Sequence, residues 1–471
     1  SILLTVMLTM TLLVGCTNEP TDTSKPGNSS QTAGTSQSVP SELEPEELTM
    51  YLIGDKPEGI DEVYGKINEI LKEKINATVK VEWLSWAEES TKYSLLFSGT
   101  EDFDMIFTDS QWCHFEQIVA LGGFAPLSED LLKTYAPDVW SAWPEEAWKQ
   151  ATINGEIYMI PANFVEVNQD VLAIRGDVMK KLGYDDVNSY EQMVQLLGDC
   201  AKDGSYGLAD GGASLYWLMF EDKGYYTVGG TPNDGQLILY NYADPSNTDY
   251  TYVLDWDPFI EYCKEAKKLA DMGSWPSDVM NNTADRQDGL LSGRGAIMVW
   301  NVNSCQTYAN QANGTNPAWS VNLYNIMPEL PYRSTSYVNG GIAFNAASKK
   351  LERAVMAYNE FATNPEIQDL AQLGLEGTHW TADGNDQYKL TDTPYDASNY
   401  WGWRNLDIMR TVGYENPTAV DEKAEELNAY FLEHLNETHP LSSFTFNQEP
   451  VATQCAAVDA IKNTYLLPLL N

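Results

Sequence analysis

Apolar positions along this chain fall into short runs and helical stripes whose order predicts an α/β fold. Leu48-Thr49-Met50-Tyr51-Leu52-Ile53 is an apolar run closed by Gly54, the pattern of a strand. Val63, Ile67, Ile70, Leu71 and Ile75 then recur at helical spacing, and Val79, Val81 and Trp83 alternate as a second strand. Strand, helix and strand at this length make a βαβ unit, hence a parallel pair. A further helical segment leads to the buried-strand run Phe103-Asp104-Met105-Ile106-Phe107, followed by the polar loop Thr108-Asp109-Ser110-Gln111-Trp112. Ligands of open α/β sheets sit at the carboxyl ends of strands, so this loop is expected to reach a bound molecule.

The pattern continues beyond it. Asn154-Gly155 turns into an apolar strand that stops at Pro161, with Ala162 and Asn163 after it. Residues 171–174 read as a strand and 175–182 as a short helix, and Ser189 with Gln192 three residues on is a capping-box pattern. Asp257-Pro258 opens another helix whose inner stripe is Phe259, Tyr262, Cys263, Ala266, Leu269 and Ala270, before Gly273. Residues 204–256 between them are rich in Gly, Asn and Tyr with weak periodicity, and predict loops and short strands. Gly293-Arg294-Gly295-Ala296-Ile297-Met298-Val299-Trp300 and Gly340-Gly341-Ile342-Ala343-Phe344-Asn345 are buried strands entered by Gly turns. Leu351, Ala354, Val355, Tyr358 and Phe361 line an amphipathic helix that Asn364-Pro365 stops. Gly374 to Trp380 and Tyr400 to Asn405 fit neither period, yet set aromatics among Gly, His and Arg; helical stretches near 420–435 and 450–467 finish the chain.

The N-terminus has a different pattern. An apolar run over 2–13 ends in Leu13-Val14-Gly15-Cys16, the form of a bacterial lipoprotein signal in which the run is removed and the Cys16 thiol carries the lipid. The run is shorter than the roughly 20 apolar residues that span a bilayer. Residues 17–47 are rich in Thr, Ser, Pro, Gly and Glu and bury too little to fold, so they read as a flexible stalk.

Composition changes the picture in three ways. The 471 residues call for two lobes or domains. The formal charge of −40 repels phosphate backbones and anionic headgroups, which argues against nucleic acid as a partner. The 14 Trp and 27 Tyr offer ring faces to a ligand, although most are expected in the core. With Cys16 lipidated, Cys113, Cys200, Cys263, Cys305 and Cys455 have no metal-like spacing; they read mainly as free buried thiols, with one incidental disulfide left open. His434 and His439 lie five apart and share a helix face poorly, so no zinc is expected. Asp383-Gly384-Asn385-Asp386 offers oxygens but lacks a full EF-hand loop and reads as a polar turn, which leaves calcium open. No cofactor is expected.

Several of these stretches, in this order, resemble the solute-binding lipoproteins of bacterial ABC importers. They are Cys16 with its stalk, 103–107 with its polar loop, Gly155-Glu156-Ile157-Tyr158-Met159-Ile160-Pro161, Gly293-Arg294-Gly295-Ala296, the helix ending at Asn364-Pro365, and Glu376-Gly377-Thr378-His379-Trp380. The resemblance is strongest to the carbohydrate-type family 1 and, within it, to the LplA-like group that carries the domain of unknown function 3502. It implies a two-lobed, periplasmic-binding-protein-like α/β fold of type II, each lobe a mostly parallel sheet flanked by helices, with the ligand cleft between them. The implied layout is a signal peptide over 1–16, a stalk over 17–47, lobe 1 over 48–162 and again over 339–380, and lobe 2 over 163–338. Residues 381–471 are then mainly lobe 2 and C-terminal helices, and the crossings fall near 161–165 and 338–342. Relatives continue past the equivalent of Leu470, so the sequence is expected to be truncated at both ends.

The implied function is capture of a carbohydrate, an oligosaccharide for preference, by lobe closure at the outer face of the cell membrane, with delivery to ABC permease subunits. The expected state is a monomer held to the membrane by its lipid anchor only. A sugar needs aromatic faces for its C–H surfaces and paired donors and acceptors for its hydroxyls. The candidate ligand-binding residues are accordingly Trp86, Asp109, Trp112, Asn163, Trp217, Trp300, Glu376, His379, Trp380, Trp401, Trp403 and Arg404. For each the competing reading is core packing, or a braced loop for Glu376 and His379. HExxH, GxSxG and P-loop motifs are absent, and Gly65-Lys66 is followed by Ile67. An enzyme is therefore not expected, although 68 acidic residues keep a glycosidase's carboxylate pair open. A binder of peptides or other small solutes is the second rival.

Overall fold

The structure is a computed structural model that describes residues 43–471, apart from 99–101, 166, 168, 229–236, 280–285, 385, 394, 396–400, 414–415, 437–438, 443, 445–448 and 471. Cys16, the apolar run before it, and the stalk up to residue 42 lie outside the described residues, as do Asn385 and Tyr400. Residues 43–471 make one compact unit. Among the described residues, no helix is long and apolar enough to cross a membrane.

Eight strands build the two principal sheets: β1 (Glu46–Ile53), β2 (Ala77–Leu84), β3 (Met105–Thr108), β4 (Met159–Pro161), β5 (Asp170–Ile174), β6 (Ile297–Asn301), β7 (Asn322–Tyr324) and β8 (Gly341–Phe344). The first sheet has the order β2-β1-β3-β8-β4. β1 pairs in parallel with β2 and β3, as the βαβ pattern predicts, and β8 runs antiparallel between β3 and β4. Four of its five strands therefore point the same way. The linking helix Ile60–Ile75 buries Val63, Ile67, Leu71 and Ile75, while its C-cap Asn76 turns left-handed at φ 48° to start β2.

The second sheet, β6-β5-β7, corrects one expectation, because both of its pairings are antiparallel rather than mostly parallel. The cause is the way the chain enters. β5 follows the first crossing, and β7 precedes the second, so these two neighbours run in opposite directions. Both faces of β5 are covered, with Leu172 and Ile174 in one apolar cluster and Val171 and Ala173 in another. A strand covered on both faces reads as a continuous apolar run, which is what the sequence has there.

Apolar burial separates two bodies. The first core gathers residues from Leu48 to Ile160, returns at Val338 to Ala371, and includes Trp403 with Tyr395 and Trp401 at its edge. The second takes residues 171–332 with Val420, Ala424, Leu427, Phe431 and Leu466. Pro365 stops the helix Leu351–Thr363 as expected and begins another, Pro365–Leu373, with the Asn364 side chain accepting from Glu366 and Ile367 N–H. Trp380–Asp383 and Gln387–Leu390 form a hairpin. Cys113, Cys200, Cys263, Cys305 and Cys455 are free thiols.

Candidate functional site

Three segments join the two bodies, and they locate the ligand-facing ends of both sheets. The first leaves β4 after Pro161 and enters β5 at Asp170; the second leaves β7 and enters β8 at Gly341. They run side by side, with Ala162 N–H donating to Gly340 O at 2.9 Å and Val167 bridged to Ser334. The third follows Trp401–Trp403, and Leu406 N–H donates to Asn163 O at 3.0 Å. Pro161 O accepts from Trp143 Nε1 at 2.7 Å and from the Tyr358 hydroxyl at 3.0 Å, which fixes where the first crossing begins. The sheet ends that face across the junction are thus those of Ile53, Leu84, Thr108 and Pro161 in the first lobe, and of Asp170 and Asn301 in the second.

Aromatics occupy the first of these ends. Trp86 follows β2, Trp112 follows β3, and Trp401 lies beside Gly340. Their rings meet one another, with centroids 5.6 Å apart for Trp86 and Trp112, 5.8 Å for Trp86 and Trp401, and 6.3 Å for Trp112 and Trp401. Phe107 closes the cluster from below at 5.6 Å from Trp112. Trp86 is 49% exposed, an unusual cost for an indole that has neighbours to pack on.

The loop that carries Trp112 is held rigidly. Asp109 is buried, and its Oδ1 accepts from the backbone N–H groups of Gln111 and Trp112, the latter at 3.1 Å. This carboxylate therefore shapes the loop. His114 takes a left-handed backbone at φ 59°, a conformation that is uncommon outside Gly. Its ring bridges Glu89 Oε1 through Nε2 and Gln117 Oε1 through Nδ1, both at 2.8 Å. Burial, and secondarily Asp109, push the Glu116 carboxyl up to about 8.

A second aromatic group stands at the facing end of the other lobe. The Arg286 guanidinium lies over the Trp217 ring at 5.2 Å and over the Trp300 ring at 4.7 Å, and Trp300 stacks on Tyr308. Asp170 lies nearby: burial raises its carboxyl, while Arg286 and then Arg333 pull it back down. Glu221, raised by burial and by Asp170, pairs with Arg333 at 3.0 Å. Asp170, Glu221, Arg286 and Arg333 were missed by sequence reasoning. The signal within reach was that Asp170 is a charge directly ahead of a strand buried on both faces.

The remaining candidates disperse. Asn163 sits on the first crossing and donates to Asn405 Oδ1 at 2.9 Å and Asp407 Oδ2 at 3.0 Å. The Arg404 guanidinium lies 3.6 Å from the centre of the Phe164 ring on the same crossing. Trp403 is 1% exposed and packs in the first core at 5.0 Å from Phe361. In the Glu376 to Trp380 loop, His379 Nδ1 accepts from Leu375 N–H at 2.9 Å, and the buried Trp380 donates through Nε1 to Gly374 O at 3.1 Å. Glu376 is exposed. The ring and indole of this motif brace their own loop.

Comparison with known proteins follows this geometry. The family model described as bacterial extracellular solute-binding protein matches residues 66–377. A carbohydrate ABC transporter substrate-binding protein of Streptococcus pneumoniae serotype 4 is 24% identical over 420 residues, which is 87% of this chain and 80% of that one. Among solved structures, the N-glycan transport solute binding protein NgtS of Streptococcus pneumoniae, in complex with Man1GlcNAc, is similar at a TM-score of 0.68. It is 20% identical over 90% of this chain and 91% of that one. The ABC substrate-binding protein Lmo0181 of Listeria monocytogenes, in complex with cycloalternan, is similar at a TM-score of 0.59, with 14% identity over 91% and 94% of the two chains. The fold shared with these structures is the two-lobed α/β architecture of solute-binding proteins.

Proposed function

Because the chain belongs to the family of bacterial extracellular solute-binding proteins, we propose that it captures a carbohydrate between its lobes and hands it to the permease of an ABC importer. The family is one of binders, not enzymes. The observation that carries the sugar reading is the mutually packed trio Trp86, Trp112 and Trp401 at the facing end of the first lobe. Indole faces match the apolar C–H faces of pyranose rings, and three of them suit an oligosaccharide better than a single residue. The pneumococcal relatives, one described as a carbohydrate transporter subunit and one bound to a glycan, support the same reading.

In this reading Trp86, Trp112 and Trp401 stack the ligand from lobe 1 and Trp300 meets it from lobe 2, while Asn163 and Arg404 stabilise the crossing around which the lobes close. The protein acts as a monomer on the outer face of the membrane, tethered by lipid on Cys16 through the 17–47 stalk. Thermal-shift screening of the purified protein against neutral and acidic oligosaccharides and against short peptides tests the ligand class. A ligand at 100 times its dissociation constant stabilises by about 2.7 kcal/mol. A shift with an oligosaccharide, returned intact, is expected; a shift with peptides alone overturns the reading, and shortened oligosaccharide products would reveal a hydrolase. Expression of Cys16→Ser in a bacterial host tests the anchor, with movement from the membrane fraction to the soluble fraction expected.

A further inference from the structure

Four charged side chains gather at the facing end of the second lobe, and two of them are already satisfied by each other. Arg333 meets the buried Glu221 at 3.0 Å, and Gln169 Nε2 adds a hydrogen bond to the second carboxylate oxygen at 3.3 Å. Both carboxylate oxygens of Glu221 are thus engaged. Asp170 and Arg286 stand instead at the sheet end itself, one at the start of β5 and the other over a ring of the strand paired with it. Asp170 opens β5 opposite Asn301, and Arg286 lies over Trp300, the neighbour of Asn301.

Arg286 is fixed in place. Its guanidinium is shared between the Trp217 and Trp300 rings, and Nη1 donates to Val299 O at 3.2 Å. A guanidinium carries five N–H donors, and ordering it beforehand lowers the entropy lost per hydrogen bond formed. Asp170 lies opposite Asn301, next along β6 from the Trp300 ring that Arg286 covers, and its ionised carboxylate offers acceptors only. An acceptor beside a donor, next to a half-buried indole face, matches a sugar ring with two adjacent hydroxyls. A carboxylate on the ligand would meet the donor but also Asp170, in a chain of net charge −40 that already repels anions.

We propose that Asp170 and Arg286 form the polar subsite of the second lobe, reading adjacent hydroxyls of a neutral sugar against Trp300, and that Asp170 excludes uronates. The inference rests on the carbohydrate reading and narrows its substrate class.

The test uses the purified full chain and titration calorimetry with neutral trisaccharides of glucose, mannose and N-acetylglucosamine, beside trigalacturonate and an alginate trisaccharide. At least one neutral sugar is expected to bind at least tenfold more tightly than either uronate. Asp170→Asn and Arg286→Lys are each expected to weaken that neutral sugar tenfold or more, and Asp170→Asn to narrow the gap between neutral and acidic sugars. Melting of the unliganded variants checks folding, and Asp170→Ser and Arg286→Gln replace any variant that fails it. Uronates binding as well as neutral sugars, or folded variants with unchanged affinity, overturn the subsite while leaving the carbohydrate reading intact. A panel in which no sugar binds overturns both.

Discussion

The Asn163 side-chain amide donates to Asn405 Oδ1 at 2.9 Å, tying the first crossing to the strip after Trp401–Trp403 across 242 residues of sequence. Asn405 is itself buried and spends its amide on Ala362 O at 2.9 Å, at the end of a helix in the first core. The contact therefore anchors a crossing segment to a rigid element and also sets where Trp401 stands. Asn163→Ala removes this hydrogen bond and the one to Asp407 Oδ2. Equilibrium urea unfolding is expected to show a loss of about 1–2 kcal/mol, with ligand affinity reduced as Trp401 loosens. An unchanged midpoint and affinity would mean that the stitch is incidental.

The tryptophans should separate into two classes under mutation. Trp112 and Trp86 rest on each other and on Trp401 at the sheet end, so alanine at either is expected to weaken oligosaccharide binding tenfold or more with a small stability cost. Trp403 packs against Phe361 inside the first core, where alanine leaves a cavity and is expected to cost about 3–5 kcal/mol. Calorimetric titration set against denaturation midpoints distinguishes them. Equal stability losses at Trp86 and Trp403 would place the trio indoors and remove its role.

This division also marks what the sequence made legible. The βαβ start and the helix ending at Asn364 could be read, because periodicity is a local property, whereas Trp401 stood out only as an aromatic in a stretch without a period. The helix Ala213–Asp222 could not: eight of its ten residues are buried, so it lacks the polar face that gives a helix its period. It carries Glu221, one of the four charged residues of the second lobe's cluster, all of which stayed out of view. Asp109 and His379 were legible as polar groups near aromatics but not as backbone acceptors, since those partnerships depend on loop turns. The direction of β6 and β7 depended on where the crossings enter, which no local pattern encodes.

Glu116 predicts a pH dependence. Its carboxyl is pushed up to about 8 by burial, against the pull of its own backbone N–H and with a smaller push from Asp109. Unfolded, it titrates near the usual carboxylate value of about 4.3. Between these values the folded state binds the extra proton, so stability falls as pH rises through this window. Urea midpoints are expected to drop from pH 5.5 to pH 8, and Glu116→Gln, which keeps the neutral shape, is expected to flatten that drop. A variant with the same slope as the parent would assign the dependence to other groups.

Gly341 stands where β8 takes β3 on one side and β4 on the other, at the point where the second crossing ends. A Cβ there would lie 2.7 Å from Ile160 O, 2.8 Å from Met159 Sδ and 3.0 Å from Pro161 Cα. Two of those atoms are backbone of the first crossing's own root, which cannot move without shifting Pro161 and the hydrogen bonds it accepts from Trp143 and Tyr358. Gly341→Ala is therefore expected to destabilise by roughly 1–3 kcal/mol, the range of overpacked sites, and to weaken ligand binding by splaying the paired crossings. Gly314 supplies the opposite sign: it lies in the helix Val302–Thr315 with open space around the added methyl, so Gly314→Ala is expected to stabilise by about 0.5–1 kcal/mol. Denaturation midpoints of the two variants moving in the same direction would contradict the steric account of the junction.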